Sequence, residues 1–262
     1  MRTVTSNDVT LHVQVEGPED GPVVMFANSL GTDLRVWDPL LPHLPEGLRI
    51  VRFDKRGHGL SDCPDAPYDM DTLVGDTEAI IDALDLRDIT FVGLSIGGLI
   101  GQGLAARRPE VMRALVLMDT AARIGSPEMW QDRIDALRTG GIASMAEAIL
   151  DRWFAPEMRK DATRLAPWRH MLTRTPIEGY IGCCAAIAGA DFTETTRALT
   201  LPLMALAGSE DGATPPDLVR ATADLCNAAF HVIENAGHLP CVEAPEQVGA
   251  VITDFLKETG HV

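Results

Sequence analysis

Hydrophobic and polar residues recur along the chain with two periodicities, one typical of strands and one typical of helices. Apolar and polar residues alternate over 9–15, which predicts a strand with one buried face. Four continuous apolar runs follow, of the kind found in strands buried on both faces of a parallel sheet: Val23–Ala27, Ile50–Phe53, Ile89–Leu94 and Ala114–Met118. Helical spacing predicts one helix over 73–84 and a second over 96–108, before Pro109.

The middle of the chain differs from its flanks. Residues 120–198 contain three tryptophans, many arginines and several prolines, with helical spacing and no convincing strand pattern. Strand and helix patterns then resume in the order strand Leu203–Ala207, helix Pro216–Cys226, strand Phe230–Ile233 and helix Glu246–Lys257. This order predicts an α/β fold with a doubly wound, mostly parallel sheet, whose core comprises 1–119 and 199–262 and whose helical cap is inserted at 120–198.

Composition and charge narrow the class of protein. The apolar runs are too short to span a bilayer, and residues 1–8 lack the apolar region of a signal peptide, so we expect a cytoplasmic protein that does not enter membranes. The net charge of −16 disfavours nucleic acids and anionic membrane surfaces as partners. An anionic substrate would therefore need a local cation in its site. The five cysteines lack zinc-site spacing and are predicted to be reduced thiols.

Residues 93–97 carry the strongest chemical signal, with the sequence Gly-Leu-Ser-Ile-Gly. They directly follow a predicted strand and open a predicted helix, which is the setting that a Gly-x-Ser-x-Gly nucleophile elbow requires. The glycines leave room for a tight turn that lifts the serine hydroxyl above the sheet. The turn also places that hydroxyl at a helix N-terminus, which favours developing negative charge. We therefore predict that Ser95 is a nucleophile.

A serine hydroxyl needs a base that takes its proton. His238 lies in the loop after the last predicted strand, and loops at the carboxyl ends of parallel strands are where such folds place function. His12 and His231 fall inside strand patterns, and His261 lies in a tail that we expect to fray. His58 also follows a strand, but it precedes the serine in the chain. We therefore predict His238 as the base.

The base needs an acid that holds its tautomer and stabilises its charged form. Asp211 follows the predicted strand over 203–207 and gives the chain order Ser, Asp, His that accompanies this kind of elbow. Glu210 and Asp119 are competing acids. We prefer Asp211 because its loop precedes the histidine loop by a single β/α unit.

Two donors are needed for the oxyanion that forms when a serine adds to a carbonyl. The backbone N–H of Ile96, the residue after the nucleophile, is predicted to be one of them. The other is expected from the loop that follows the strand Val23–Ala27.

Several segments together resemble an α/β-hydrolase over the whole length of the chain: Asn-Ser-Leu-Gly-Thr-Asp at 28–33, Trp-Asp at 37–38, Arg-Phe-Asp-Lys-Arg-Gly-His-Gly at 52–59, Gly-Leu-Ser-Ile-Gly-Gly at 93–98, Asp211 before Thr-Pro-Pro at 214–216, and Gly-His-Leu at 237–239. The first two segments resemble the 3-oxoadipate enol-lactonases of bacterial aromatic-acid degradation. Many relatives have His-Gly where this chain has Asn-Ser, so the resemblance assigns the second oxyanion donor to the N–H of Leu30. Ile96 departs from the methionine that is more often expected there.

The resemblance implies a reaction as well as a fold. The substrate would be 3-oxoadipate enol-lactone, a five-membered enol ester with an acetate arm, and the product would be 3-oxoadipate. Ser95 would open the ring, and His238 would protonate the leaving enolate oxygen and then activate water to release the acyl group. Ketonisation of the enol would make ring opening effectively irreversible. This chemistry needs no metal and no organic cofactor.

The acetate arm of such a lactone should meet a cation, and arginine offers a fork that binds a carboxylate through two hydrogen bonds. Trp130 and Arg133 lie three residues apart in a predicted helix of the cap, so they share a face. A flat apolar wall beside a guanidinium suits a small anionic lactone. We therefore hypothesise that this pair binds the substrate.

Other functions share the same residues. A carboxylesterase, a carbon–carbon bond hydrolase and a cofactor-free perhydrolase use the same mechanism, and the cap decides among them. A haloalkane dehalogenase would carry Asp where this chain has Ser95. A non-catalytic ligand receptor is the alternative from another class, although it would not need Ser95, Asp211 and His238 together. A homo-oligomer is compatible with the sequence, which does not specify the oligomeric state.

Overall fold

An eight-stranded sheet runs through the computed structural model, which describes residues 1–262. The strands are β1 (Arg2–Ser6), β2 (Val9–Glu16), β3 (Val23–Ala27), β4 (Arg49–Phe53), β5 (Ile89–Leu94), β6 (Met112–Met118), β7 (Leu203–Gly208) and β8 (Ala229–Ile233). The α-helices are α1 (Met70–Ala83), α2 (Ile96–Arg107), α3 (Pro127–Trp153), α4 (Pro156–Arg159), α5 (Ala162–Thr173), α6 (Ile177–Ala188), α7 (Thr193–Arg197), α8 (Pro216–Asp224), α9 (Pro240–Glu243) and α10 (Pro245–Glu258).

The strand order determines where a site can form. The order is β1-β2-β4-β3-β5-β6-β7-β8, in which β1 and β2 are antiparallel to their neighbours and all the other pairs are parallel. The carboxyl ends of β3 and of β5 to β8 therefore lie at one edge of the sheet. The chain changes direction across the sheet between β3 and β5, and such a switch point leaves a crevice at the strand ends.

Continuous apolar runs become fully buried strands. Every residue of β3, β5 and β7 is buried, because parallel strands in the middle of a sheet are covered on both faces. The predicted helix over 73–84 is α1, which begins after Asp69, whose side chain accepts a hydrogen bond from the N–H of Thr72. The α/β fold with a mostly parallel sheet agrees with the prediction from the hydrophobic pattern.

Five helices, α3 to α7, lie between β6 and β7. The first of them, α3, is interrupted at Gly141, where φ is 70° and ψ is 171°. That backbone conformation is strained for any residue with a side chain, so glycine allows the helix to change direction there. We propose that residues 120–198 form a cap over a core made of 1–119 and 199–262.

Two features differ from the expectation at the chain ends. The strand β1 was not predicted, because its sequence Arg-Thr-Val-Thr-Ser contains a single large apolar residue. The expectation that His261 lies in a frayed tail is wrong: this residue is buried and its Nδ1 makes a hydrogen bond with Thr90 of β5. None of the helices combines the length and the apolar composition that a membrane span requires.

Candidate active site

Ser95 stands at the sharp turn between β5 and α2. Its φ of 58° and ψ of −117° lie outside the regions that residues with side chains usually occupy, and such strain marks functional sites. The turn is tight because Gly93 and Gly97 pack closely. A Cβ on Gly97 would lie 2.0 Å from the carbonyl oxygen of Ala27, and one on Gly93 would lie 2.3 Å from that of Gly97. Glycines are therefore required on both sides of this serine.

Asp211 and His238 are in direct contact. Nδ1 of His238 lies 2.9 Å from Oδ2 of Asp211, and both side chains are buried. The other carboxylate oxygen, Oδ1, accepts hydrogen bonds from the backbone N–H groups of Ala213 and Thr214, and the Thr214 hydroxyl donates to Oδ2. Burial alone would raise the pKa of Asp211, but the charge and hydrogen bond of His238, with the bonds from Thr214 and Ala213, lower it below its usual value. Asp211 is therefore held as a carboxylate beside the imidazole.

His238 lines the same pocket as Ser95. No hydrogen bond joins Nε2 to the Ser95 hydroxyl; instead the hydroxyl of Ser29 lies 3.4 Å from Nε2. Catalytic hydrogen bonds are often long without substrate and tighten when it binds. The structure thus brings Ser95, His238 and Asp211 to one place, with Ser29 as a second hydroxyl at the base.

The competing acids have different surroundings. Glu210 is exposed, and the polar partners of the His238 ring are Ser29, Thr214 and Asp211 instead. Asp119 is fully buried within the same cluster as Asp211 and His238; its Oδ1 accepts a hydrogen bond from the N–H of Gly208 at 2.8 Å, while Oδ2 has no partner. Burial and the negative charge of Asp211 raise the pKa of Asp119 well above its usual value. We therefore expect Asp119 to be a neutral carboxylic acid.

His58, the competing histidine, supports the loop after β3. It is fully buried, and its Nε2 accepts a hydrogen bond from the N–H of Gly31 at 3.0 Å. Burial and the charge of Lys55 lower the pKa of His58 well below its usual value, so the ring is neutral. Since Nε2 accepts, the ring proton is on Nδ1, which lies 3.3 Å from the carbonyl oxygen of Arg56. Both ring nitrogens are thus engaged away from Ser95.

The predicted oxyanion donors lie on this loop and at the start of α2. The N–H of Leu30 makes no hydrogen bond within the chain, and Ile96 begins its helix, so its N–H has no helical acceptor. Lys55 donates hydrogen bonds to the loop after β3. Its Nζ lies 2.6 Å from the carbonyl oxygen of Ser29 and within 3.4 Å of those of Asn28 and Thr32. A buried ammonium therefore orders the loop that carries the N–H of Leu30.

The charge of Lys55 should affect the pH dependence of kcat. Burial lowers its pKa to about 8, and the neutral amine formed above that pH donates weaker hydrogen bonds to the loop. We expect kcat for p-nitrophenyl acetate, corrected for spontaneous hydrolysis, to fall above about pH 8 in the wild type. We also expect Lys55→Met to lower kcat at neutral pH by about tenfold and to remove this alkaline limb. A limb near pH 8 that persists in Lys55→Met would contradict this assignment.

The lowered pKa of Lys55 also makes the free energy of unfolding depend on pH. The ordinary pKa of lysine is 10.5, so between about pH 8 and 10.5 the unfolded chain binds more protons at Lys55 than the folded protein does. The contribution of Lys55 to the free energy of unfolding therefore rises with pH in this window, while kcat falls. Thermal denaturation of the wild type and of Lys55→Met across the window separates the two effects.

The pocket above Ser95 has a volume of about 200 Å³. Its walls include both halves of α3 and part of α6. Arg133 and Trp130, the predicted binding pair, both line it, with the guanidinium carbon 5.4 Å from the centre of the Trp130 ring and 6.0 Å from that of Tyr180. Nε of Arg133 is buried without a hydrogen-bond partner. A cation with an aromatic wall thus lies in the same small cavity as Ser95 and His238.

Four pocket or loop residues were not anticipated in these positions. Ser29 and Lys55 stand inside recognised motifs, but their side-chain contacts could not be read from spacing. Arg152 lines the pocket from the far half of α3, beyond the break at Gly141. Glu243 accepts hydrogen bonds from the N–H groups of Gly237 and Ala155, and so ties the histidine loop to the end of the α3 region. No local sequence pattern signals either of the last two.

Comparisons with known proteins agree with this architecture. A model of the alpha/beta hydrolase family matches residues 23–251. The 3-oxoadipate enol-lactonase 2 of Acinetobacter baylyi is 34% identical over 260 residues, covering 97% of this chain and 96% of that protein. The crystal structure of the enol-lactonase from Burkholderia xenovorans has a TM-score of 0.93 at 35% identity, covering 98% of this chain and all of that one. A thermophilic esterase from Thermogutta terrifontis has a TM-score of 0.92 at 27% identity, covering 100% of this chain and 99% of that one.

Proposed function

Because the chain belongs to the alpha/beta hydrolase family, we propose that it is a serine hydrolase that opens 3-oxoadipate enol-lactone to 3-oxoadipate in the degradation of aromatic compounds. One observation carries the proposal: Ser95 and His238 share a small pocket with an arginine that has no carboxylate partner. The similarity to enol-lactonases supports the choice of substrate. The proposal includes a cytoplasmic location, which suits five unpaired cysteines.

In the first half of the reaction, Ser95 Oγ attacks the lactone carbonyl while His238 Nε2 takes its proton. Asp211 accepts a hydrogen bond from the Nδ1–H of His238 and stabilises the imidazolium that forms. The oxyanion lies between the N–H groups of Leu30 and Ile96, which are fixed by the loop and by the helix start. The strained backbone of Ser95 presents its hydroxyl to this point.

Ring opening is driven by the leaving group. The bond between the carbonyl carbon and the ring oxygen breaks, His238 returns its proton to that oxygen, and the product is an enol attached through its acyl carbon to Ser95. The enol converts to the ketone, which cannot close the ring again. Water then gives a proton to His238 and attacks the acyl carbon, the bond between that carbon and Ser95 Oγ breaks, and His238 returns the proton to Oγ, which releases 3-oxoadipate and restores the Ser95 hydroxyl.

The acetate arm of the lactone would bind to Arg133, which explains why this arginine lacks a carboxylate partner within the chain. Its guanidinium has no carboxylate oxygen within 4.0 Å, although the chain has a net charge of −16 and four other cap arginines contact a carboxylate. Arg133 is partly buried and its Nε is unpaired, so a substrate carboxylate would give this cation a partner that the chain does not supply. The rings of Trp130 and Tyr180 line the same pocket and would offer apolar surface to the small ring of the lactone.

Arg133→Ala should therefore affect binding selectively. We expect KM for the enol-lactone to rise by about tenfold to hundredfold, the effect of losing one charged hydrogen-bonded pair, with a smaller change in kcat. The methyl ester of the same lactone, which has lost the negative charge, should show a change of less than about threefold. Arg138→Ala is the matched control, because Arg138 is exposed on the same helix outside the pocket. Equal effects on the acid and its ester would contradict the role of Arg133.

A direct comparison of substrates tests the proposed function. We expect kcat/KM for the enol-lactone to exceed that for p-nitrophenyl acetate by about a hundredfold or more, because only the lactone engages Arg133. Cleavage of the ester without the lactone would favour a carboxylesterase, and activity on neither would favour a carbon–carbon hydrolase, a perhydrolase or a non-catalytic receptor. The similarity to a solved esterase makes the first of these the main alternative.

A further inference from the structure

A second arginine of the pocket is not used by the proposed reaction as described so far. Arg152 lines the same cavity as Arg133, from the half of α3 that follows the break at Gly141. Its Nε donates to the carbonyl oxygen of Gly212 at 3.0 Å, and its own carbonyl oxygen accepts a hydrogen bond from the N–H of Gly212. The residue is thereby fixed to the loop that carries Asp211, while its terminal nitrogens remain available.

Arg133 is partly buried and Arg152 is exposed, and two cations that line the same small pocket repel each other. Burial and the charge of Arg133 lower the pKa of Arg152, although the nearby carboxylate of Asp211 acts in the opposite direction. No carboxylate oxygen lies within 4.0 Å of either guanidinium. In a chain with 38 acidic residues and 22 basic ones, a carboxylate opposite this pair would be easy to supply. Both guanidiniums are therefore free to bind the negative charge of a ligand in this pocket.

A single carboxylate does not explain both cations. The acetate arm of the lactone brings one negative charge to the pocket, and Arg133 accounts for it. Hydrolysis creates a second carboxylate, because the acyl carbon that leaves Ser95 takes an oxygen from water and the resulting acid ionises. The cavity of about 200 Å³ lies below the roughly 300–1,000 Å³ of pockets for drug-sized ligands, so both charges of the product stay close to its walls.

We infer that the pocket is a binding site for linear dicarboxylates, in which Arg133 binds one carboxylate and Arg152 the other. The inference rests on the proposed function, whose product is such a dianion. Its consequence is that the enzyme binds its product more tightly than a singly charged analogue, so product and related dicarboxylates inhibit it competitively. The break at Gly141 matters here, because it lets the two halves of one helix present their arginines to the same cavity.

Inhibition by two acids of equal chain length tests this inference. Adipate and hexanoate each have six carbons, and the hydrolysis of p-nitrophenyl acetate, a neutral ester, serves as the readout. The wild type should bind adipate at least about tenfold more tightly than hexanoate. Arg152→Gln should weaken adipate binding by about tenfold or more and change hexanoate binding by less than about threefold. Arg138→Gln, which removes an exposed charge from the same helix, should leave both inhibition constants unchanged.

The outcomes separate this inference from the proposed substrate. Equal binding of the two acids by the wild type, or a preference for adipate that persists in Arg152→Gln, would overturn the dicarboxylate site. Calorimetric titration of the purified protein with both acids gives the same comparison without turnover, and melting temperatures verify that the variants are folded. A protein that prefers adipate in this Arg152-dependent way but does not open the lactone would support the site and overturn only the proposed reaction.

Discussion

Replacing Ser95 with alanine is expected to lower kcat for p-nitrophenyl acetate by about 10⁴-fold or more. The reason is that the proposed mechanism forms a covalent acyl-enzyme, and no other hydroxyl in the pocket stands on a nucleophile elbow with a strained backbone at the start of a helix. The oxyanion donors and the pocket remain in the variant, so a small residual rate above the spontaneous reaction is compatible with the mechanism. Steady-state kinetics with purified protein measure the effect.

Ser29 provides the matched control. Its hydroxyl also lies in the pocket, 3.4 Å from His238 Nε2, and it is the one that contacts the base in the structure. Ser29 lacks the elbow, the helix start and the strained backbone that activate Ser95. Ser29→Ala should therefore lower kcat by less than about tenfold. Loss of activity in Ser29→Ala with retention in Ser95→Ala would assign the nucleophile to the loop after β3 instead.

The second large effect distinguishes the two buried aspartates. Asp211→Asn should lower kcat by about 10⁴-fold, because an amide can donate to His238 Nδ1 and so favour the wrong tautomer of the base. Asp119→Asn should lower kcat by less than about tenfold, because burial and the charge of Asp211 raise the pKa of Asp119 and so favour its neutral form, and its contact with the N–H of Gly208 needs only an acceptor oxygen. Both substitutions keep the shape of the side chain.

The pH profile gives this comparison a second readout. If Asp119 were the acid that serves His238, Asp119→Asn would abolish activity and Asp211→Asn would retain most of it. A variant could also lose activity only because the pKa of the base has changed. Measuring kcat for both variants from about pH 5 to 9 detects this, because such a loss would be recovered at another pH. Melting temperatures of the two variants reveal any loss of folded protein.

Much of the site could be predicted because each proposed catalytic residue follows a strand. Ser95, Asp211 and His238 come after β5, β7 and β8, and the carboxyl ends of parallel strands meet at one edge of a sheet. Hydrophobic runs locate those strands, so residues far apart in the sequence can be predicted to lie close together in the fold. The same reasoning left Asp119 as a competitor, because it follows β6 at the same edge.

The contacts that depend on side-chain packing could not be predicted. The raised pKa of Asp119 results from complete burial beside Asp211, which no spacing reveals. Similarly, His261 is ordered by Thr90, which lies 171 residues away in the sequence. The strand β1 at the sheet edge has too few apolar residues to be recognised. These features depend on the whole fold rather than on any local pattern.

The position of Arg152 shows the same limit within one helix. Spacing could pair Trp130 with Arg133, because three residues along a regular helix return to the same face. Gly141 interrupts that regularity, so the face presented by the second half of α3 cannot be derived from the first. Only the three-dimensional structure brings Arg152 to the wall of the pocket that Arg133 occupies.

The most direct test of the central claim is the loss of enol-lactone absorbance with equal amounts of wild-type protein and Ser95→Ala. We predict rapid loss with the wild type and a rate at or near the spontaneous one with the variant, which would establish both the substrate and the nucleophile. Absorbance that persists with a wild type that still cleaves p-nitrophenyl acetate would contradict the proposed substrate. Equal loss with the wild type and the variant would contradict the role of Ser95.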